Sequence, residues 1–234
     1  MLSIIIPAKN EEKYLPMLLD SIKRQKIDNL EIIVADANSK DKTCEIAIDY
    51  GCKVVRGGLL ARGRNNGVKY AKGNLLLFID ADIILPEDFL KESLKEFNRR
   101  NLDIAGTLQE PTSNRFLYKF IYGIANGGMC IMEKTRKPFM QVCMFCKKNL
   151  HQKIGGFDES LIFAEDSEYA IRCVKAGGNF GILKSSRVFI SNRRFEHENN
   201  LSLILKYIYF NISRFFGKEF RNGGIIKYDY PKYT

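Results

Sequence analysis

The chain has 234 residues, 45% of them hydrophobic, enough to supply the core of one compact unit. Lysine and arginine number 37 against 27 acidic residues, and the formal charge of +10 favours an anionic partner such as nucleic acid, a nucleotide, a phospholipid head group or a lipid phosphate. The excess is uneven: residues 187–234 hold nine basic and four acidic residues, so half of the net charge lies in the last fifth of the chain.

The amino terminus, MLSIIIPAKNEE, has no basic start, long apolar middle or small-residue cleavage site, and its apolar run is too short to span a bilayer. A cytoplasmic protein is therefore expected. The six cysteines (Cys44, Cys52, Cys130, Cys143, Cys146 and Cys173) are expected as reduced thiols. Cys143 and Cys146 are spaced as a metal-binding pair, but no second pair accompanies them to complete a structural zinc site.

Leu2–Ile6 reads as a strand closed by Pro7, and Tyr14, Leu15, Leu18, Leu19 and Ile22 recur at helical spacing. Glu31–Ala35 is a second strand, after which Ser39 or Asp41 can cap a helix running through Ile46 and Ala47 to Gly51. Lys53–Val55 reads as a third strand, Arg62–Ala71 as a helix stopped by Gly73, and Leu75–Ile79 as a strand buried on both faces. A helix from Asp88 to about Arg99 follows, and after Ile104–Gly106 the periodicity weakens. Residues 107–150, rich in glycine, aromatics and methionine, carry no clear period. The last clear element is a helix through Tyr169, Ile171, Cys173 and Val174, ended by Gly177 and Gly178. Alternating strands and helices with short connections imply an α/β protein with a mainly parallel, Rossmann-like central sheet flanked by helices.

Ligands on such sheets bind beyond the carboxyl ends of the strands. Asp36 ends one predicted strand and Asp80 another, so both belong to that edge. Asp80-Ala81-Asp82 places two carboxylates one residue apart just past a buried strand, a pattern suited to a hard cation such as Mg2+ or Mn2+ bridging to substrate phosphates. Strand-end aspartates also start turns and cap helices, and Glu165-Asp166 suits a helix amino terminus. Gly63 and Gly67 allow a close backbone approach to phosphates. His197 is a candidate third metal ligand or diphosphate contact, with Arg193 and Arg194 close enough in sequence to join it.

The segments SIIIPAKNEEKYL, IIVADANSKDKTCEIA, ARGRNNGVKYAKGNLLLFIDADI and GGFDESLIFAEDSEYAIRCVKAG, in that order, resemble the family 2 glycosyltransferases over about residues 2–180. The resemblance implies a GT-A fold and an inverting hexosyltransferase that uses a UDP- or GDP-sugar, usually with Mn2+ or Mg2+. It places the nucleoside at Pro7, Ala8 and Glu11, with Lys9 departing from the aromatic often found there. It gives Asp36 the base or ribose, Arg62 the role of basic residue before the fourth strand, and Asp80-Ala81-Asp82 that of the metal motif, with Asp82 as the direct ligand. Glu165-Asp166 matches the acceptor-side pair, and Asp166 the catalytic base.

On this reading residues 1–104 form a nucleotide-sugar-binding half, 105–195 an acceptor-side extension and 196–234 a basic aromatic tail. In the tail, Leu201, Ile204, Leu205, Ile208, Ile212, Phe215 and Phe216 fall on one side of a helix that either packs on the core or lies on an acidic membrane surface. The expected acceptor is a glycan or a polyprenyl-phosphate-linked molecule. Two competing functions are a sugar-phosphate nucleotidyltransferase, which lacks its glycine-rich phosphate loop in PAKNEEKYL, and a basic nucleic-acid-binding module, for which no signature is present. Nucleic acid is not an expected partner.

Overall fold

The structure, a computed structural model, describes residues 1–135, 137–140, 143–161, 164–191 and 193. The chain runs β1 (Leu2–Ala8), α1 (Leu15–Lys23), β2 (Leu30–Asp36), α2 (Thr43–Asp49), β3 (Lys53–Arg56), α3 (Leu60–Tyr70), β4 (Leu75–Ile79) and β5 (Ile83–Ile84). It continues through α4 (Phe89–Arg99), β6 (Ile104–Pro111), α5 (Phe116–Met132), β7 (Cys143–Lys147), α6 (Lys148–Lys153), α7 (Glu165–Lys175) and β8 (Phe180–Ile190).

All eight strands join one sheet in the order β3-β2-β1-β4-β7-β6-β8-β5. The half built from β3, β2, β1 and β4 is parallel, with Ala8 opposite Asp36 and Ile5 opposite Phe78. Beyond β4 the sheet is mixed. β7 runs antiparallel between β4 and β6, β8 pairs parallel with β6, and the two-residue β5 crosses to the far edge to pair with β8. The β6–β8 register shifts between Thr107 and Leu108, and the Lys184 and Ser185 amides freed there donate to the buried Glu96 carboxylate at 2.9 and 2.8 Å.

Helices cover both faces. Ile4, Ile6, Val34, Leu77 and Ile79 pack with α1 (Leu15, Leu18, Leu19, Ile22), α2 (Ala47) and α4 (Phe89, Leu90, Phe97). The alternate residues Ile5, Ile33, Leu76 and Phe78 pack with α3 (Ala61, Val68), α5 (Met129), α6 (Leu150) and α7 (Tyr169, Ala170, Cys173). Burial on two faces explains why these strands read as unbroken apolar runs, and each fully buried leucine, isoleucine or phenylalanine contributes about 1.5–3 kcal/mol.

The tail from residue 194, including the apolar stripe Leu201–Phe216, lies outside the described residues. Among the described residues no helix is long and apolar enough to cross a membrane.

Candidate active site

The loops after β1 and β2 are fastened to one another. The Asn10 amide donates to Ser39 Oγ (2.9 Å), Lys40 N–H to Asn10 Oδ1 (2.8 Å), Glu11 N–H to Thr43 Oγ1 (2.8 Å) and Glu12 N–H to Asp41 Oδ2 (3.0 Å). Asn10 and Asn38 take up left-handed backbone at φ 55° and 63°, which asparagine tolerates better than most residues. Asp36 stands inside this latch and accepts the Ser39 amide (3.0 Å) and hydroxyl. Pro7 and Ala8 are buried at the end of β1.

Five carboxylates gather beyond the carboxyl ends of β1 and β4. Arg64, on α3, is 1% exposed and places Nη2 2.9 Å from Asp80 Oδ1, and Nη1 2.7 Å from Glu165 Oε1 and 2.8 Å from Asp166 Oδ1. Burial opposes its charge, but the charges of Asp166, Asp80 and Glu165 outweigh that, so its pKa stands above the ordinary arginine value. The Phe157 ring lies under the guanidinium at 5.4 Å.

Arg193 makes the second junction. Nη1 and Nη2 grip Glu11 at 2.7 and 2.8 Å, Nε lies 3.1 Å from Asp82 Oδ2, and the guanidinium sits 4.8 Å over the Tyr14 ring. Burial pushes the Glu11 carboxyl above its usual range; the Arg193 pair pulls it down, and the nearby Asp82 and Asp80 charges push it up again. Five carboxylates against two guanidiniums leave this described set with three formal negative charges, in the region expected to receive an anionic diphosphate. Asp80 and Asp82 offer the hard oxygen donors that Mg2+ and Mn2+ take, and such ions are often held by only one or two carboxylates with substrate phosphates and water completing the shell. The donor chemistry therefore fits a divalent cation, although no group of three or more acidic, histidine or cysteine ligands is assembled among the described residues.

Close packing of α3 on β1 sets the position of Arg64. A Cβ on Gly67 would meet Ile5 Cγ2 at 2.5 Å, and one on Gly63 would meet Pro7 Cβ at 3.2 Å. These glycines were expected to admit phosphate; here they admit a strand.

The structure thus brings together Glu11, Asp80, Asp82, Asp166 and Arg193 from the residues named in the sequence. Asp36 lies at the same edge but alternates with Val34 toward α1 and α2, whereas Asp80 turns to α3, so the two acids flank the edge from opposite faces. Arg62 is 61% exposed and pairs with Glu159 at 2.9 Å; Arg64, two residues on, holds the acids. Its signal was its place on the buried stripe Ala61, Arg64 and Val68, where a lone cation requires partners. Arg194 and His197 lie outside the described residues. Asp82 also borders a cavity of about 180 Å³ lined in part by Tyr14, Met17, Thr112 and Ser191. That is small beside the roughly 300–1,000 Å³ of ordinary ligand pockets.

The sequence model described as Glycosyl transferase family 2 matches residues 3–154. The "Uncharacterized glycosyltransferase EpsJ" of Bacillus subtilis (strain 168) is 27% identical over 187 residues, covering 72% of this chain and 54% of its own. The crystal structure of S. aureus TarS 1-349 in complex with UDP-GlcNAc overlays with a TM-score of 0.65 at 21% identity, covering 81% of this chain and 58% of that one. Mannosyltransferase PcManGT from Pyrobaculum calidifontis, in complex with GDP-Man and Mn2+, gives 0.66 at 20% identity, covering 80% and 56%. These overlays establish the GT-A fold, and the chain spans about half the length of the EpsJ relative.

Proposed function

The chain belongs to glycosyl transferase family 2, and from that premise we propose that it transfers a sugar from a UDP- or GDP-sugar to an acceptor hydroxyl or lipid phosphate with inversion at the anomeric carbon. The observation that carries the reading is Arg64, which ties Asp80 of the strand-end pair to Asp166 at the head of α7. Donor-side and acceptor-side acids, 86 residues apart in sequence, are thereby held at one edge.

Asp36 and the latched loops after β1 and β2 hold the nucleoside beside Pro7, Ala8 and Glu11. Asp80 and Asp82 hold a divalent cation, Mn2+ or Mg2+, whose chemistry when bound is to neutralise charge on the diphosphate leaving group. Asp166 accepts the proton of the acceptor hydroxyl as its oxygen bonds to the anomeric carbon. The bond from that carbon to the phosphate oxygen breaks, and its electron pair leaves with the nucleoside diphosphate. Attack from the face opposite the leaving group inverts the centre. Where the acceptor is already an ionised lipid phosphate, Asp166 has no proton to take. Arg64 keeps three neighbouring carboxylates in fixed positions, and Arg193 does the same for Asp82 and Glu11, so little reorganisation accompanies the reaction.

The GDP-Man and Mn2+ complex of PcManGT and the UDP-GlcNAc complex of TarS support this donor class. Residues 1–104 then serve the donor and 105–195 the acceptor. Peripheral contact with the inner face of a cell membrane is consistent with a basic chain in which no described helix can span a bilayer.

A panel of labelled UDP- and GDP-sugars tests the reading. Metal-dependent release of nucleoside diphosphate, lost in Asp82→Ala, is expected. Transfer of a nucleotide to a sugar phosphate would select the nucleotidyltransferase instead.

A further inference from the structure

Helix α5 is anchored along one side. The Asn126 carboxamide bonds the main chain of Gln109 in both directions, at 3.0 Å to its N–H and 2.8 Å to its carbonyl, taking over the edge of β6 where β7 no longer pairs. Just past the helix, Glu133 binds Arg100, Lys184 and the Ile182 amide. Tyr118 and Met129 are buried. The outer face carries Phe116 (82% exposed), Phe120 (56%), Ile124 (62%) and Ile131 (75%), with Leu117 beside them. Half of the exposed large hydrophobic residues of the described chain therefore lie on one helix, a concentration that marks an interaction surface.

Among the described residues of 112–137, which carry this stripe, the exposed charges are of one sign. Arg115 and Lys119 are exposed at its start and Lys134 and Lys137 beyond its end, α5 contains no acid, and the adjacent Glu133 is turned inward onto Arg100 and Lys184. An apolar stripe with cationic ends complements an anionic lipid interface, where the aromatic and aliphatic groups enter the acyl boundary and the cations meet phosphates. A second copy of this face would bring the same four cations to the rim. The segment 194–234, with seven basic and four acidic residues, would also bring net positive charge.

Thr112, four residues before α5, borders the same cavity as Asp82, so the helix starts beside the site. We propose that the outer face of α5 docks on an anionic lipid surface and sets the site against it, so that the acceptor is a lipid-anchored molecule. The docking stands on the surface itself; the acceptor class rests on the transferase reading.

Sedimentation of the 234-residue chain with vesicles tests this, using phosphatidylcholine alone and with about 30% phosphatidylglycerol, an anionic surface that attracts basic residues. Binding to the mixed vesicles is expected, weakened about tenfold or more in Phe116→Ser/Phe120→Ser/Ile124→Ser. Removing charge at Arg115 or Lys119 (each to Gln) should weaken it about fivefold per residue, with donor hydrolysis unchanged. Ile124→Asp alone serves if the triple variant does not fold. Absence of vesicle binding, or binding that ignores every one of these substitutions, overturns the proposal. So does a concentration-dependent dimer abolished by the same substitutions in a protein that does not bind vesicles. Vesicle binding through α5 without donor hydrolysis would leave the docking intact and remove the transferase reading; hydrolysis without docking would do the reverse.

Discussion

Arg64 on α3 and Asp80, the residue just past β4, meet at 2.9 Å, and the same guanidinium holds Glu165 and Asp166. A charge this buried is tolerated because three carboxylates surround it, and those carboxylates stay close together because it is there.

Arg64→Ala removes the counter-charge and leaves three acids mutually repelling in a nearly dry site. Destabilisation of about 3–5 kcal/mol is expected by denaturant titration, together with loss of transfer activity. Arg64→Lys keeps the charge but cannot span three carboxylates, so it should recover part of the stability and little of the activity. Wild-type activity in Arg64→Ala would remove this residue from the account.

Asp166→Asn keeps the shape of the site and removes the carboxylate proposed to accept the proton. With an acceptor hydroxyl as substrate, turnover should fall about 100-fold or more while nucleotide affinity changes little. Unchanged turnover in this variant, with donor and acceptor both saturating, would exclude Asp166 as the base.

Gly67→Ala sets two effects against each other. Helix propensity favours alanine by about 1 kcal/mol, whereas a methyl 2.5 Å from Ile5 Cγ2 overpacks the α3–β1 contact at a cost of about 1–3 kcal/mol. Net destabilisation is expected, with a loss of activity larger than the loss of folded protein because Arg64 moves with α3. A stabilised, fully active variant would show that this close approach is unimportant.

His151 gives the fold a pH dependence with a definite sign. Its Nδ1 lies 2.9 Å from the Tyr169 hydroxyl, which donates onward to Cys146 Sγ, and burial pushes the imidazole pKa down from 6.5 to about 4, with Arg172 and Lys148 adding to the effect. Below pH 6.5 the unfolded chain binds a proton that the folded one refuses. Stability from this group is therefore complete above about pH 6.5 and declines toward pH 4, by about 3 kcal/mol in all. Denaturant titrations of wild type and His151→Gln at several pH values should show the wild type losing more stability on acidification. Parallel pH profiles would contradict the assignment.

The parallel half of the sheet was legible in the sequence for a physical reason. Strands covered on both faces must be apolar throughout, so β1, β2 and β4 stand out, and Asp36 at the end of β2 and Asp80 just past β4 mark the edge. Helix α5 was hidden because it is apolar nearly all round and contains Gly123, Gly127 and Gly128, which erases both the amphipathic period and the helix propensity. The antiparallel entry of β7 between β4 and β6 was equally hidden: a short buried strand such as CMFCK does not encode its direction. Within ARGRNNG, Arg62 and Arg64 differ only in phase along α3, which leaves Arg62 exposed beside Glu159 and buries Arg64 among the acids, a distinction the resemblance by itself did not draw.

Whether a divalent cation held by Asp82 bridges to the nucleotide is decided by calorimetric titration of UDP and GDP into the wild type and Asp82→Ala, each with and without Mn2+. Mn2+ should tighten binding of one of these nucleotides to the wild type and have no such effect on the variant. Nucleotide affinity that ignores Mn2+ in both proteins, or that responds equally in both, would rule that bridge out.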